Sequence, residues 1–288
     1  MKPTRVTAFC PGHISGYFKR VAGSTVAATG SIGAGIVISE GVTATVTSSE
    51  KTSIRVVCRD VTGRELITGD DSLPVASVMK RLGITASVQT ECRLPIGAGF
   101  GLSAAALLAT LTALNRLLTL HLSPRDIAAY AHETEVTHRT GLGDVAACQG
   151  GGRVVRYDPG IDARIERTFD LDGPLYMISF GPIHTPSVLG SMDLMGRVSA
   201  AFPDTTPESP EDFFRLSRQF TLDSGLATKE VLEVLTACEK EHVPASMTML
   251  GNGVFALGTD AQAVLESFGK VCECTMARSG AGITGEQV

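Results

Sequence analysis

Apolar and polar residues alternate over several short segments in the first hundred residues of this 288-residue chain. Residues 42–47 and 54–58 have the period of two that is typical of a half-buried strand, and residues 86–92 lead as a further strand into a glycine-rich segment. Residues 71–82 have the pattern of a helix. The pattern therefore predicts a mainly extended N-terminal region with one helix before residue 93.

Two longer helices are predicted in the middle of the chain. Residues 104–118, AAALLATLTALNRLL, are rich in alanine and leucine, and Asn115 and Arg116 are their only markedly polar members. Such a composition indicates a buried helix. Residues 123–137 begin with Ser123 as a helix cap, a proline at the first helical position and Asp126 in the first turn, which predicts a second helix.

The pattern changes after three consecutive glycines at residues 150–152. A strand is predicted at 153–157, and residues 158–175 contain turn residues and alternating charge. We place a domain boundary there, between an N-terminal domain of residues 1–165 and a C-terminal domain of residues 166–288. The predicted elements of the second half are a strand at 175–180, helices at 210–224 and 227–241, a strand at 254–257, a helix at 261–268 and a final strand.

Composition and charge narrow the class of protein. Hydrophobic residues make up 43% and charged residues 19% of the chain, which is ordinary for a globular enzyme. The formal net charge is −5 and no basic run is present, so nucleic-acid binding is not expected. No stretch reaches the roughly 18 apolar residues of a membrane span. Seven scattered cysteines fit reduced thiols, and the cytoplasm is the expected location.

A glycine-rich loop runs directly into the buried helix, in the sequence PIGAGFGLSAAA of residues 95–106. Unpaired backbone N–H groups at a helix start bind anions, and glycines let the backbone approach a ligand closely. The spacing is neither that of a Walker A loop nor that of a Rossmann fingerprint. The loop therefore predicts a phosphate site, and a turn that only packs the helix against a sheet is the alternative.

A second candidate site follows the helix at 123–137. Thr140-Gly141-Leu142-Gly143-Asp144 places one acid among glycines, and an acid at such a loop can orient a hydroxyl group and accept its proton during phosphoryl transfer. Glu133 and Glu135 lie upstream on the helix and, two residues apart, point to roughly opposite sides. The alternative is that both glutamates are solvated and that Asp144 is an ordinary turn residue.

Several motifs resemble those of the GHMP kinase superfamily. The glycine loop is similar to the motif P-x-x-x-G-x-G-S-S-A-A, with Leu102 in place of the first serine and Ser103 at the serine that contacts magnesium. The segment FCPGHISGYF at 9–18 resembles the A-P-G-K motif, with His13 in place of lysine. The segment MTMLGNGVFAL at 247–257 resembles the C-terminal glycine motif. Within the superfamily, the full chain is most similar to the archaeal pantoate kinases.

This resemblance implies an α+β, two-domain GHMP kinase-like fold, with a ribosomal protein S5 domain 2-like N-terminal part and a ferredoxin-like C-terminal part. It also implies ATP and Mg²⁺. Asp144 would be the catalytic aspartate, and Ser103 with Glu135 would bind the metal. Glu133 is the alternative to Glu135 as metal ligand, because its spacing to Asp144 resembles that in mevalonate kinases. The implied ligands of the ATP phosphates are Pro95, Gly97, Ala98, Gly99, Gly101, Ser103 and Ala104.

The implied acceptor is pantoate, whose carboxylate requires a cation and whose dimethyl carbon requires an apolar wall. Arg153 and Arg156 lie three apart in a predicted strand and face opposite sides, so only one should reach the site. The resemblance favours Arg156; Arg139 is the reserve candidate, and the role of His13 in the acceptor site is open. A kinase for homoserine, shikimate or mevalonate and a non-catalytic sensor remain alternatives, and a homodimer is the candidate assembly.

Overall fold

The computed structural model describes residues 2–60 and 62–288, which form two β-sheets and the helices that cover them. The strands are β1 (Arg5–Val21), β2 (Gly30–Ser48), β3 (Ser53–Arg59), β4 (Glu65–Gly69), β5 (Ala86–Cys92), β6 (Arg153–Arg156), β7 (Ile165–Thr168), β8 (Leu175–Gly181), β9 (Ala245–Met247), β10 (Asn252–Leu257), β11 (Val271–Cys274) and β12 (Gly282–Gln287). The helices are α1 (Leu73–Leu82), α2 (Leu102–Leu118), α3 (Pro124–His138), α4 (Asp144–Cys148), α5 (Thr185–Gly190), α6 (Met192–Ala200), α7 (Pro210–Ser224), α8 (Lys229–Lys240) and α9 (Asp260–Glu266).

The larger sheet is built on a long hairpin of β1 and β2. The two strands pair antiparallel from Arg5 opposite Thr47 to Val21 opposite Gly30. The described strands of this sheet follow the order β12-β1-β2-β5-β3-β4, in which β3 and β5 pair in parallel and the other neighbours pair antiparallel. Strand β6 pairs with the beginning of β2, and β7 pairs with β6. A bulge at Pro11 and Gly12 interrupts the β1–β2 ladder just before His13.

Helix α2 packs against β1 and β2 and forms the centre of the larger core. Its alanines and leucines are almost all buried, as the composition predicted. Asn115 bonds the backbone of Leu122, and Arg116 pairs with Glu286 of β12. Helix α3 lies beside α2 and begins with the predicted cap, because the Ser123 hydroxyl accepts from the Asp126 N–H and Asp126 accepts in return.

The smaller sheet has the order β11-β8-β10-β9, and every neighbouring pair is antiparallel. Numbered along the chain, β8, β9, β10 and β11 are strands 1 to 4 of this sheet, so their order in space is 4-1-3-2. Together with the helices between them they form the βαββαβ arrangement of a ferredoxin-like fold. Helix α8 packs on β9 and β10, and α9 packs on β8. The C-terminal half therefore has the architecture that the resemblance implied.

Helix α7 joins the two halves, because it contacts both β1 and β9. Phe213 of α7 packs edge-on against Phe214 and near Phe255, and Phe220 packs against Phe18 of β1. Strand β12 returns from the C-terminal half to pair with β1. The boundary placed at residue 165 stays a prediction; β7 crosses it and pairs with β6.

Most predicted elements are confirmed within one to three residues, and α7 matches its prediction at both ends. Several short elements were not predicted, among them β7, within the region read as turns, the five-residue helix α4, the three-residue strand β9, and helices α5 and α6, which have only six and nine residues. Elements this short bury too few side chains to show a clear period. In the part of the chain that the structure describes, no helix is long and apolar enough to cross a membrane.

Candidate active site

A cavity of about 470 Å³ opens where the two halves meet. One wall is the glycine loop with the start of α2, and a second is the segment from Thr140 to Asp144. The segment at 183–189 and the loop residues Met249 and Leu250 come from the C-terminal half and complete the cavity. Both predicted motifs therefore face one space.

The glycine loop takes a backbone shape that only glycine adopts readily. Gly97, Gly99 and Gly101 have φ angles of 78°, 83° and 62°. The loop is held from behind by the C-terminal half, where the Thr248 hydroxyl donates to the carbonyl oxygen of Ala98 at 2.9 Å. A Cβ on Gly99 would lie 2.9 Å from the backbone nitrogen of Gly251, so the two glycine motifs touch backbone to backbone.

Helix α2 begins at Leu102, two residues earlier than predicted, and Gly101 is its cap residue. No side chain caps this end, so the first N–H groups are available to a ligand in the loop. The positive end of the helix dipole points the same way. This geometry suits the phosphate groups of a nucleotide, as the loop sequence predicted.

Ser103, in the first turn of α2, contacts Glu135 of α3. The Ser103 hydroxyl donates to Oε1 of Glu135 at 2.5 Å, and the Thr140 hydroxyl donates to the same oxygen at 2.5 Å. Glu133 lies on the other side of α3 and pairs with Arg81 of α1. The structure thus brings Glu135, and not Glu133, next to Ser103.

The Glu135 carboxyl is 2% exposed, and burial raises its pKa from 4.5 to about 7, although the two hydroxyl donors act to lower it. Asp144 also lies next to Gly141. A Cβ on that glycine would clash with Oε2 of Glu135 and lie 2.9 Å from Oδ2 of Asp144. The two carboxylates therefore face one small space. Hydroxyl and carboxylate oxygens are the ligands that Mg²⁺ prefers, so Ser103 and Glu135 fit the ion.

Asp144 is the first residue of the short helix α4, where the sequence predicted a loop position. Its Oδ1 lies 2.8 Å from Nδ1 of His13, and Nε2 of His13 lies 3.3 Å from Nη1 of Arg156. Burial alone would raise the pKa of Asp144, but the His13 hydrogen bond and the Arg156 charge hold it below the usual value. One fifth of the Asp144 side chain remains exposed, towards the cavity.

Arg156 is 2% exposed and lies behind Gly143 and Ser31, which line the cavity. A Cβ on Gly143 would lie 2.7 Å from Nε of Arg156. Among the described residues, this Nε is a buried donor with no hydrogen-bond partner. Such a group is costly unless a ligand satisfies it.

The other two predicted cations lie elsewhere. Arg153 faces away from Arg156 and donates to both carboxylate oxygens of Asp170, at 2.5 and 3.2 Å, and to the carbonyl oxygen of Pro207. Arg139 is exposed at the end of α3, next to Gly190 of α5. The two strand arginines therefore diverge as the strand period predicted.

Comparison with known proteins places this site in a family. Residues 72–152 match the family model for the N-terminal domain of GHMP kinases. A pantoate kinase from Methanospirillum hungatei is 48% identical over 283 residues, which is 98% of each chain. This chain belongs to the GHMP kinase superfamily.

More distant comparisons agree with this placement of the GHMP kinase. A pantoate kinase from Methanocaldococcus jannaschii is 29% identical over 86% of this chain and 91% of its own. A solved structure described as a phosphotransferase related to the CoA biosynthesis pathway superposes with a TM-score of 0.82 at 24% identity, covering 97% of this chain and 98% of its own. The predicted family and the α+β GHMP fold are confirmed.

The assignments of individual site residues in this GHMP kinase stay predictions. Two features of the site were missed in the sequence: the second hydroxyl on Glu135, from Thr140, and the segment at 183–189 that closes the cavity. Thr140 stood inside a motif that was read only for its acid. The segment at 183–189 contains no chemical motif and reaches the cavity only through the packing of the two halves.

Glu135→Gln should stabilise the metal-free protein in mildly alkaline solution. Because the folded pKa is raised to about 7 from 4.5, stability that is fully present below 4.5 is lost as the pH rises through about 7. Gln cannot ionise, so its melting temperature in EDTA should exceed that of the parent at about pH 8 and match it at about pH 4. Glu133→Gln is the matched control. If the melting temperatures of the parent and of Glu135→Gln changed equally with pH, the raised pKa assigned to Glu135 would be contradicted.

Proposed function

We propose that this GHMP kinase transfers the γ-phosphoryl group of ATP to (R)-pantoate and forms 4-phosphopantoate, a step towards coenzyme A. One observation carries the proposal: Nε of Arg156, a buried nitrogen without a hydrogen-bond partner among the described residues, lies directly behind Gly143, which lines the cavity together with Asp144 and the glycine loop. An acceptor with both a carboxylate and a hydroxyl fits this pair. The near full-length identity to a pantoate kinase supports the same acceptor.

The nucleotide would bind with its phosphates along the glycine loop. Gly97 and residues 99–103 line the cavity, the start of α2 has no side-chain cap, and the helix dipole of α2 favours negative charge there. We assign the phosphate contacts to Pro95, Gly97, Ala98, Gly99, Gly101, Ser103 and Ala104.

Ser103 and Glu135 would hold Mg²⁺, which neutralises phosphate charge when it is bound. Thr140 fixes one oxygen of Glu135 and leaves the other directed at the space shared with Asp144. A cation in that space also offsets the cost of burying the Glu135 carboxylate. The oxygen ligands and the negative charge of the site therefore both suit Mg²⁺.

The acceptor would lie between Asp144 and the segment at 183–189. Leu142, Ile183 and Leu189 line the cavity and would form an apolar wall for a dimethyl group. Nε of Arg156 would donate to the acceptor carboxylate at the backbone of Gly143. Arg139 is the reserve candidate for this contact.

Asp144 would take the proton of the acceptor hydroxyl. The hydroxyl oxygen forms a bond to the γ-phosphorus while the bond from that phosphorus to the β–γ bridging oxygen breaks, and ADP leaves with the bonding electron pair. The proton passes to Oδ2, because Oδ1 is already bonded to His13. Positioning of the two reactants supplies most of the rate enhancement in such reactions. The cytoplasmic location and a homodimer stay predictions.

A panel of acceptors tests the proposed function. Pantoate, homoserine, mevalonate and shikimate are each supplied with ATP and magnesium, and release of ADP is measured by a coupled assay. We expect the highest kcat/KM for (R)-pantoate, since its carboxylate and its hydroxyl can meet Arg156 and Asp144 together. A higher value for another acceptor would replace the substrate, and no ADP release with any acceptor would favour a sensor.

Asp144→Asn should lower kcat by about 10²–10⁴-fold, because the amide cannot accept the hydroxyl proton. Binding of ATP, measured by calorimetry, should stay near the value of the parent, since the phosphate loop is untouched. The melting temperature serves as the check on folding. A turnover close to that of the parent would remove Asp144 from the mechanism.

Arg156→Ala should raise KM for pantoate by about 10–150-fold, which corresponds to loss of a charge-assisted hydrogen bond of about 1.5–3 kcal/mol. KM for ATP should change little. Pantoyl alcohol, which lacks the carboxylate, should be a poor substrate of the parent. Its KM should not rise further in Arg156→Ala. Arg139→Ala is the matched variant, and a rise in KM there with none for Arg156→Ala would move the carboxylate contact to Arg139.

A further inference from the structure

His13 occupies a position from which it cannot touch the acceptor directly. The side chain is 0% exposed, and the cavity wall in front of it is Asp144. Gly35 of β2 makes room for the ring, because a Cβ there would clash with Nε2. The bulge at Pro11 and Gly12 precedes it on β1. Any effect of His13 on the reaction must therefore pass through a neighbouring side chain.

The hydrogen bonds of the ring determine which nitrogen carries the proton. Arg156 can only donate, so Nε2 of His13, which lies 3.3 Å from Nη1, must present its lone pair. Nδ1 then carries the proton and donates to Oδ1 of Asp144 at 2.8 Å. The imidazole is therefore neutral, with a fixed tautomer.

The charges around the ring agree with a neutral imidazole. Burial is the main cause that lowers the pKa of His13, and the positive charges of Arg156 and Arg167 lower it further, against the raising effect of Asp144. A protonated ring would place a second cation against Arg156 inside the protein. Where the A-P-G-K motif has a lysine, this chain has a neutral imidazole, and the positive charge is that of Arg156 behind the ring.

We propose that His13 is a positioning residue that relays a hydrogen bond from Arg156 to Oδ1 of Asp144 and so holds Oδ2 towards the acceptor hydroxyl. The relay fixes the rotation of the carboxylate, because Oδ2 then faces the space beside Gly141 and Glu135. The consequence for turnover rests on the proposed function of Asp144. The hydrogen-bonded relay itself does not.

The tautomer is tested on the intact protein without nucleotide, by ¹⁵N NMR of its histidine side chains near neutral pH. We expect one imidazole with protonated Nδ1 and bare Nε2 whose signals disappear in His13→Asn. A proton on Nε2, alone or with one on Nδ1, would overturn the relay. This readout does not depend on catalysis, so it remains decisive even if the proposed function fails.

The effect on turnover is tested with His13→Leu, which fills the space but forms neither hydrogen bond. We expect kcat to fall by about 10–100-fold, the usual cost of losing a group that orients a functional side chain from behind. KM for ATP should stay unchanged, and KM for pantoate should change much less than kcat, because the ring touches neither substrate and Arg156 keeps its place in β6. A raised KM for pantoate with unchanged kcat would show that the ring acts on substrate binding through Arg156 and not on Asp144, and it would overturn the proposal.

His13→Asn provides the rescue, since its amide nitrogen takes the place of Nδ1 and can donate to Asp144. It should recover most of the kcat lost in His13→Leu, and it keeps the test open if the leucine variant does not fold. In the Asp144→Asn background, His13→Leu should cause no further loss, whereas additive losses would contradict a relay through Asp144. Full activity of Asp144→Asn would refute the proposed function alone.

Discussion

The buried hydrogen bonds from Arg156 through His13 to Asp144 constrain how three distant parts of the chain can be arranged. The three side chains come from β6, β1 and α4, and His13 and Asp144 are 131 residues apart in sequence. A buried charge without a partner costs several kcal/mol, so none of these elements can move away alone. The same contacts leave one carboxylate oxygen and one guanidinium nitrogen for a ligand, so the constraint that holds the site together also gives it chemistry.

Close backbone packing between the two halves completes the site. Gly99 and Gly251 bring the phosphate loop against the C-terminal loop, and Thr248 fixes the loop through Ala98. Larger residues at either glycine would separate the motifs, because the space for a Cβ is already filled by backbone atoms. The ferredoxin-like half therefore supports the glycine loop as well as covering the core, and it contributes Ile183 and Leu189 to the lining of the cavity.

Much of the fold and the candidate chemistry could be predicted from local sequence. Helix α2 follows from its alanine and leucine content, α3 from the Ser123 cap, and the shape of the glycine loop from glycines that end at a helix start. The short elements β7, α5 and α6 could not be predicted, because their few residues show no clear period. The period of a strand also separated Arg153 from Arg156 correctly, although it could not say which of the two faced the cavity.

The sequence by itself determined which residues are candidates for the chemistry, because residue type, spacing and backbone propensity are local properties. It left Glu133 and Glu135 as alternatives and the role of His13 open. The tertiary structure decided which groups these side chains meet: Arg81 of α1 pairs with Glu133, while Ser103 and Thr140 approach Glu135. It also placed His13 behind Asp144 and not on the cavity wall. Burial and partner choice depend on elements that are far apart in the chain, so only their packing could settle which groups meet.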